Sequence, residues 1–226
     1  MNFELSEDQR AFADTARQFA AAELAPYAAE WDAQAIFPRD AIAKAGELGF
    51  CGLYTPENAG GLQLPRLDAT LVFEEMAAVD PSTTAFITIH NMATWMLGTW
   101  ATPEVRAEWG EALTSGQKLA SYALTEPGAG SDAASLKTRA DKDGDHYVIN
   151  GAKAFISGAG STDVLVLMAR TGAPDSGAKG ISAFVVPANA PGISYGKKEE
   201  KMGWNSQPTR VINFDNVRIP ANHLLG

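Results

Sequence analysis

The stretch Tyr122–Asp132, which reads YALTEPGAGSD, is the one around which the rest of the chain is organised. An apolar, strand-like run ends at Thr125, and a proline and two glycines then force a tight turn. Glycines let a backbone approach a ligand closely and expose its N–H groups, and a serine hydroxyl adds a directional donor and acceptor. The turn is therefore either an ordinary connection between two strands or one wall of a site for a polar, planar or anionic ligand.

The composition is that of a globular protein with one large domain or two smaller ones. The chain has 226 residues, of which 46% are hydrophobic and 20% are charged. Its 27 acidic and 18 basic side chains give a net charge of −9, and they form no basic stripe. We therefore expect neither nucleic acid nor a membrane surface as a partner.

The cysteine and histidine content argues against two kinds of site. Cys51 is the single cysteine, so the chain forms no internal disulfide and suits a reducing compartment. The three histidines are scattered singly, which is not a metal-ligand spacing, and we predict no metal site. The N-terminal sequence MNFELSEDQR is acidic and amphipathic, and we do not expect it to be a signal or transit peptide. We expect a cytoplasmic protein, or a protein of the mitochondrial matrix if the source is a eukaryote.

The first 117 residues carry helix signals throughout. Ser6 and Gln9 form a capping box, which apolar residues at helical spacing follow. The uncharged run Pro81–Pro103 carries too many hydroxyl and amide groups for a lipid-facing helix, and we interpret it as a helix buried within a helical domain. Five helices are expected, beginning after Ser6, at Phe37-Pro38, at Arg66, after Asp80-Pro81 and at Thr102-Pro103.

Short runs rich in β-branched and aromatic residues replace the helical pattern in the second half. Asp143-Gly144 and Asn150-Gly151 are turn signals of the hairpin kind. Many short strands without intervening helices predict an antiparallel sandwich or barrel, and neither GxGxxG nor a P-loop occurs. We predict an α+β fold, with an all-helical domain over residues 1–117 and an antiparallel β-barrel domain over residues 118–226. The expected strands are Leu119–Thr125, Tyr147–Asn150, Ala154–Ser157, Val164–Ala169, Ile181–Val186 and Val211–Phe214.

Three motifs of the second half give the chain its resemblance to the acyl-CoA dehydrogenases. They are LTEPGAGSD at Leu124–Asp132, INGAKAFISGAG at Ile149–Gly160 and KMGWNSQPT at Lys201–Thr209. A lone TEPG is a weak signal, but three motifs in the family's order behind a helical N-terminal half are specific. The resemblance extends over essentially all 226 residues.

Within that family the chain looks most like the branch that oxidises isobutyryl-CoA in valine breakdown. The segments KAFISGAG, GKKEEKMGWNSQPT, EWDAQAIFP and ITIHNMATWM carry this likeness. Most relatives have a tryptophan at the position of Phe155 and a threonine at the position of Ser157. Other short-chain or branched-chain acyl-CoA dehydrogenases, and an oxygen-using relative, stay open as alternatives.

The resemblance implies an FAD-dependent enzyme that forms an α,β-double bond in a short branched acyl-CoA, from isobutyryl-CoA to methacrylyl-CoA. In such enzymes a carboxylate removes the α-proton while the β-hydride goes to the flavin. An electron-transferring flavoprotein then accepts the electrons. The implied assembly is a homotetramer, whose subunits have a helical domain, a β-barrel domain and a second, C-terminal helical domain.

The same resemblance assigns roles to residues of the motifs. Tyr122, Leu124 and Thr125 are expected along the edge of the flavin ring. Gly130 and Ser131 are expected beside the FAD phosphates or the acyl-CoA, and Ser131 also contacts the CoA part of the substrate. Neutral donors near a flavin stabilise the negative charge that builds up on reduction. Three further residues are expected to pack on the other flavin face, namely Phe155, Ile156 and Ser157.

Two polar residues of the expected buried helix allow two interpretations. His90 and Asn91 either line the acyl end of the pocket or serve as hydrogen-bonded polar groups of the core. The first interpretation makes Asn91 a substrate-binding residue.

No residue of this chain is predicted to be the catalytic base. The family's carboxylate belongs to its C-terminal helical domain, so we expect the base beyond Gly226 and that domain to be absent from residues 1–226. Glu126 is the obvious substitute, but its place in the turn predicts hydrogen bonds to local backbone instead. We therefore expect the chain alone to be inactive and to bind FAD weakly or not at all. A non-catalytic α+β module is the alternative from a different functional class.

Overall fold

The helical first half of the chain is confirmed by a computed structural model that describes residues 4–226. Residues 1–3 of the N-terminal sequence MNFELSEDQR lie outside the described residues. The capping box is present, because Gln9 N–H donates to Ser6 Oγ over 3.1 Å and Ser6 N–H donates to Gln9 Oε1 over 3.0 Å. The described helices are α1 (Glu7–Phe19), a π-helical turn (Ala20–Leu24), α2 (Ala28–Gln34), α3 (Arg39–Glu47), α4 (Arg66–Ala77), α5 (Pro81–Trp100) and α6 (Pro103–Thr114).

The expected count of five helices is wrong by one. The chain turns at Pro26 and begins a separate short helix, α2, which ends at Ala35 in the left-handed conformation with φ 52°. The helix signals predicted no start in this region, because seven residues are too few for a clear apolar periodicity.

Helix α5 is the buried helix that the sequence predicts. Asp80 caps it, since its Oδ1 accepts hydrogen bonds from the backbone N–H groups of Ser82 and Thr83. Hydroxyl and amide side chains on α5 are buried together with its apolar ones, and Thr84 and Asn91, for example, donate hydrogen bonds to backbone carbonyls. No helix of residues 4–226 is long and apolar enough to cross a membrane.

The second half forms one open, mixed sheet, so the prediction of an antiparallel β-barrel is wrong. The strands are β1 (Ala120–Ala123), β2 (Arg139–Asp143), β3 (His146–Ser157), β4 (Val164–Arg170), β5 (Ile181–Pro187), β6 (Ile193–Tyr195), β7 (Thr209–Pro220) and β8 (Leu224–Leu225). The sheet order is β6-β7-β3-β2-β4-β5-β8, and β1 pairs with β4 in parallel. The outer strands β6 and β8 have only three and two residues, and each pairs on one side, so the described sheet does not close.

One of the two predicted hairpin turns is confirmed and the other is a bulge. The Asp143-Gly144 signal connects β2 to β3, whose residues pair in antiparallel register. Asn150-Gly151 instead lies inside β3, where the register against β7 shifts. Gly151 has φ 146°, and a Cβ there would lie 2.6 Å from Thr138 Oγ1. The glycine therefore marks close packing within a strand rather than a strand end.

The two halves share part of their hydrophobic core. One cluster lies among the helices and a second lies within the sheet. A third cluster packs Leu97 of α5 and Leu113 of α6 against Ala120, Val164 and Val166 of the sheet. The division into domains near residue 117 remains a prediction.

His90 connects the helical half to the first strand through hydrogen bonds. It is fully buried in α5, its Nδ1 accepts the N–H of Ala120 over 3.0 Å, and its Nε2 lies 2.9 Å from the carbonyl of Leu113. These partners require the neutral ring with its proton on Nε2. Burial lowers the pKa of His90 to about 4.

We expect His90 to make the folded protein sensitive to acid. The unfolded ring takes up a proton near pH 6.5, whereas the folded ring resists protonation down to about pH 4. The contribution of His90 is therefore complete above pH 6.5 and is lost as the pH falls toward 4, by up to about 3 kcal/mol. Urea denaturation between about pH 8 and 4 measures this free energy. His90→Gln cannot titrate, so an equal pH slope in both proteins would contradict the assignment.

Candidate functional site

The turn after β1 is a closed, rigid structure. Glu126 and Ala129 exchange two backbone hydrogen bonds of 3.0 and 3.1 Å, which closes the Pro127-Gly128 corner. A Cβ at Gly128 or Gly130 would have no atom within 4 Å, so the outer face of the turn is open. The turn therefore leaves room for a ligand to approach its backbone.

Glu126 bonds to local backbone, as the sequence predicts. Its carboxylate accepts the N–H groups of Lys137 and Thr138 at 2.7 and 2.9 Å, and Lys153 Nζ donates to it over 2.8 Å. Burial alone raises the pKa of this carboxyl group, but the hydrogen bonds from Lys153, Thr138 and Lys137 outweigh it and lower the pKa. Glu126 is thus an ionised, fully engaged carboxylate under the turn.

A bulge in β3 lies beside the end of β1. The register of β3 against β7 shifts between Lys153 and Ile156, and the intervening Phe155 has φ 58°. The Phe155 ring is 66% exposed, although a large apolar side chain is normally buried. The backbone N–H of Ala154 donates to the carbonyl of Thr125 over 2.8 Å, so the strand end and the bulge are directly joined.

The structure brings together only part of the predicted cofactor-binding set. Tyr122, Leu124 and Thr125 are half-buried at the strand end, next to the bulge. Burial raises the pKa of Tyr122, so its phenol is neutral at ordinary pH. Gly130 and Ser131 are exposed on the outer side of the turn. Their contacts with a ligand stay a prediction.

Two of the predicted site residues have buried side chains. Ile156 is 2% exposed and belongs to the apolar core of the sheet. Asn91 is fully buried, where its Oδ1 accepts the N–H of Leu53 and its Nδ2 donates to the carbonyls of Phe50 and Ile87. These bonds match the core interpretation of Asn91, and a substrate contact by either residue remains untested.

Gly226 is the residue beyond which the sequence analysis expects the catalytic base. Its backbone N–H donates to the carbonyl of Trp100 over 3.0 Å, so the last residue of the chain lies beside the end of α5. Gly226 is exposed, adopts φ 93° and has no side chain, and it therefore offers no group that could remove a proton from a substrate. It belongs to neither the turn nor the bulge. The position of the base after Gly226 stays a prediction.

Gln207 is a site residue that sequence reasoning missed. Its Nε2 donates to Ser157 Oγ over 2.8 Å, and its buried Oε1 has no hydrogen-bond partner among residues 4–226. Because Ser157 Oγ accepts this bond, its own proton is directed elsewhere. The motif KMGWNSQPT contained the residue, but no spacing rule predicts that it reaches the bulge.

The segment that carries Gln207 also crosses to the helices. Ser206 Oγ donates to Ser82 Oγ, and Asn205 N–H donates to Asp32 Oδ1 over 2.6 Å. Beside this segment, an apolar groove of about 370 Å³ runs between α4 and α5. Its lining includes Trp204, which is half-exposed, and Thr88 of α5. The groove is wide enough for a small apolar group.

Comparison with known sequences identifies the family. Residues 6–117 match the acyl-CoA dehydrogenase N-terminal domain, and residues 121–217 match the acyl-CoA dehydrogenase middle domain. The chain belongs to the acyl-CoA dehydrogenase family. The resemblance stated from the three motifs is therefore confirmed.

Individual relatives extend this similarity over the whole chain. The mitochondrial isobutyryl-CoA dehydrogenase of Dictyostelium discoideum is 51% identical over 222 residues, which are 98% of this chain and 53% of that protein. The chain thus spans about half the length of this curated relative. Butyryl-CoA dehydrogenase from Megasphaera elsdenii superposes with a TM-score of 0.92 at 33% identity, over 100% of this chain and 60% of that one. The FAD complex of PigA superposes with a TM-score of 0.95 at 30% identity and the same coverage.

Phe155→Gly tests whether the bulge stores strain. Glycine adopts positive φ without steric hindrance, and the exposed ring makes few packing contacts, so we expect this variant to be more stable by about 1 kcal/mol. Guanidinium denaturation of the free chain measures the change. Phe155→Ala is the matched control, because it removes the ring but keeps the steric conflict of a Cβ. Equal stability of the two variants would show that the conformation is unstrained.

Proposed function

We propose that this chain is the FAD- and substrate-binding part of an enzyme that oxidises isobutyryl-CoA to methacrylyl-CoA. The observation that carries the proposal is an exposed aromatic ring at a strained bulge, joined to an open Gly/Pro turn. The family membership and the 51% identity to an isobutyryl-CoA dehydrogenase support this assignment.

The residues at the turn and the bulge suit a planar cofactor such as FAD. Phe155 offers a flat apolar surface, and the space around Gly128 and Gly130 is free of protein atoms. Gln207 has a buried acceptor oxygen without a donor among the described residues, which a bound group with an N–H would satisfy. The FAD complex of PigA has the same fold over the whole of this chain, which further supports the choice of cofactor.

In this proposal each wall of the site has its own task. Tyr122, Leu124 and Thr125 contact the edge of the flavin ring, while Phe155 and Ser157 pack on one of its faces. When bound, FAD supplies the acceptor for the hydride that leaves the β-carbon of the substrate. The protein residues position that ring and exclude water from it.

The substrate is proposed to bind between the flavin wall and the helices. The groove between α4 and α5 is proposed to accommodate the branched acyl group, because Phe73, Ala85 and Trp204 give it an apolar surface. Ser131, exposed at the tip of the turn, is the proposed contact for the CoA part. Gly130 lies beside it and is proposed to let the backbone approach the phosphates of FAD or CoA.

We infer that the catalytic base is not among the carboxylates of the turn and that it follows Gly226 in the complete enzyme. Glu126 already accepts three hydrogen bonds, which leaves it a poor base for a substrate proton. Glu75 on α4 forms a bidentate pair with Arg17, and Glu74 is exposed on the same helix. The chain of 226 residues by itself is therefore proposed to be inactive.

Two features of the full enzyme are proposed on the family likeness alone. An electron-transferring flavoprotein would accept the electrons of the reduced cofactor, and the complete enzyme would be a homotetramer. Another short-chain or branched-chain acyl-CoA dehydrogenase is the nearest alternative, supported by the similarity to butyryl-CoA dehydrogenase.

Absorbance spectroscopy on the purified 226-residue chain tests the proposal. After incubation with excess FAD and gel filtration, we expect weak retention of flavin and no bleaching of its band at ~450 nm by isobutyryl-CoA, since FAD binding needs both walls and bleaching needs a base. Tight retention together with bleaching would contradict the inferred inactivity. The proposal narrows the sequence prediction of weak or no binding to weak binding, so no binding of FAD at any concentration would contradict the assignment of this chain as an FAD-binding part.

A panel of thioesters identifies the substrate branch. Binding of isobutyryl-CoA, butyryl-CoA and 2-methylbutyryl-CoA to the chain is compared by calorimetry, with free CoA as the control. The proposal expects isobutyryl-CoA to bind most tightly, because its branched acyl group fits the groove between α4 and α5. A clear preference for the linear butyryl-CoA would favour the alternative branch.

A further inference from the structure

The most unusual polar group of the chain is the ammonium of Lys153. The side chain is fully buried, and it is one of the largest side chains with that degree of burial among the described residues. Its Nζ donates to the carbonyl of Leu124 over 2.9 Å and to Glu126 Oε1 over 2.8 Å. Lysine is seldom fully buried unless it is paired, so this position calls for an explanation.

Stability does not explain the pair. Removing two charges from water is expensive, and a buried ion pair stabilises a fold no better than apolar residues of similar size. Burial lowers the pKa of Lys153, and its hydrogen bond to Glu126 opposes that shift. Burial raises the pKa of Glu126, but the hydrogen bonds to its carboxylate outweigh burial and lower it. The pair instead fixes the positions of backbone segments, because both side chains form hydrogen bonds to backbone groups.

The bonds of the pair converge on the two segments of the candidate site. Lys153 belongs to the bulge of β3, one residue before Ala154, whose N–H binds the carbonyl of Thr125. Its side chain extends beneath the end of β1 to the carbonyl of Leu124, and Glu126 accepts the N–H of Thr138, the residue before β2. Three hydrogen bonds, two of them donated by the Lys153 ammonium, therefore join the strand end and the turn to the bulge.

The same bonds account for the conformation of the exposed ring. A phenylalanine at φ 58° persists only where the surrounding structure holds it there. The Phe155 ring does not supply that restraint, because it is exposed. Lys153 and Ala154 precede it directly, and both are fixed to the end of β1.

We propose that Lys153 is a positioning residue of the flavin site, which holds the strand end at Leu124 and Thr125 and the Phe155 bulge in one rigid frame. This inference rests on the proposed function, since it is the cofactor that needs the frame. Lys153 touches neither cofactor nor substrate in this role. It acts by fixing the backbone segments that contact the cofactor.

The double variant Lys153→Met/Glu126→Gln tests the proposal, because it removes both charges at nearly constant volume and leaves no buried charge unpaired. Urea denaturation checks that the variant folds, and we expect faster hydrogen exchange at the Ala154 amide and FAD binding weakened about tenfold or more in a fluorescence titration. Asp143→Asn/Arg218→Met is the matched control, since it neutralises an exposed ion pair of the same sheet. The control is expected to keep the wild-type exchange and FAD affinity.

The possible results distinguish a failure of the positioning role of Lys153 from a failure of the proposed function. Unchanged exchange at Ala154, or faster exchange with unchanged FAD affinity, would overturn the positioning role. If the wild-type chain binds no FAD at millimolar concentration, the proposed function fails, while the exchange data still report on the frame. If the double variant does not fold, Lys153→Arg replaces it, since it keeps the charge but displaces the contact with Leu124. Wild-type FAD affinity in that folded variant would overturn the proposal.

Discussion

A buried ion pair between Lys153 and Glu126 is the interaction around which the candidate site is built. The carboxylate closes the Gly/Pro turn onto the next segment, and the ammonium fixes the turn to the bulge of β3. Because the interior is a poor solvent for charge, neither group can leave without exposing the other to a large desolvation penalty. The pair therefore joins the closed turn and the bulge into a single surface that presents Thr125 and Phe155 together.

The contacts between helices and sheet position the groove between α4 and α5 relative to that surface. His90 binds both α6 and β1, and the segment before β7 reaches α2 and α5 through Asn205 and Ser206. The same segment carries Trp204 at the groove and Gln207 at the bulge. The segment 204–207 therefore contributes to both the groove and the proposed flavin site, and it links the proposed acyl-binding position to the proposed cofactor position.

Local signals predicted the parts of the fold that depend on local chemistry. The Ser6 capping box, the start of α5 near Asp80-Pro81 and the Asp143-Gly144 hairpin follow from nearest neighbours along the chain, and they are confirmed. The barrel, the Asn150-Gly151 turn and the helix count were wrong. Each depends on distant pairing or on a short element, since edge strands of two or three residues and a bulge beside Thr138 leave no periodic pattern in the sequence.

The sequence by itself determined the family and the motifs, because YALTEPGAGSD and two further motifs have residue types that few other proteins combine in that order. It also indicated that Glu126 binds local backbone. Only the tertiary structure decided that Lys153 also donates a hydrogen bond to Glu126 and that Gln207 donates one to Ser157. These pairs are 27 and 50 residues apart along the chain. Long-range contacts of this kind arise from strand pairing, which no local pattern specifies.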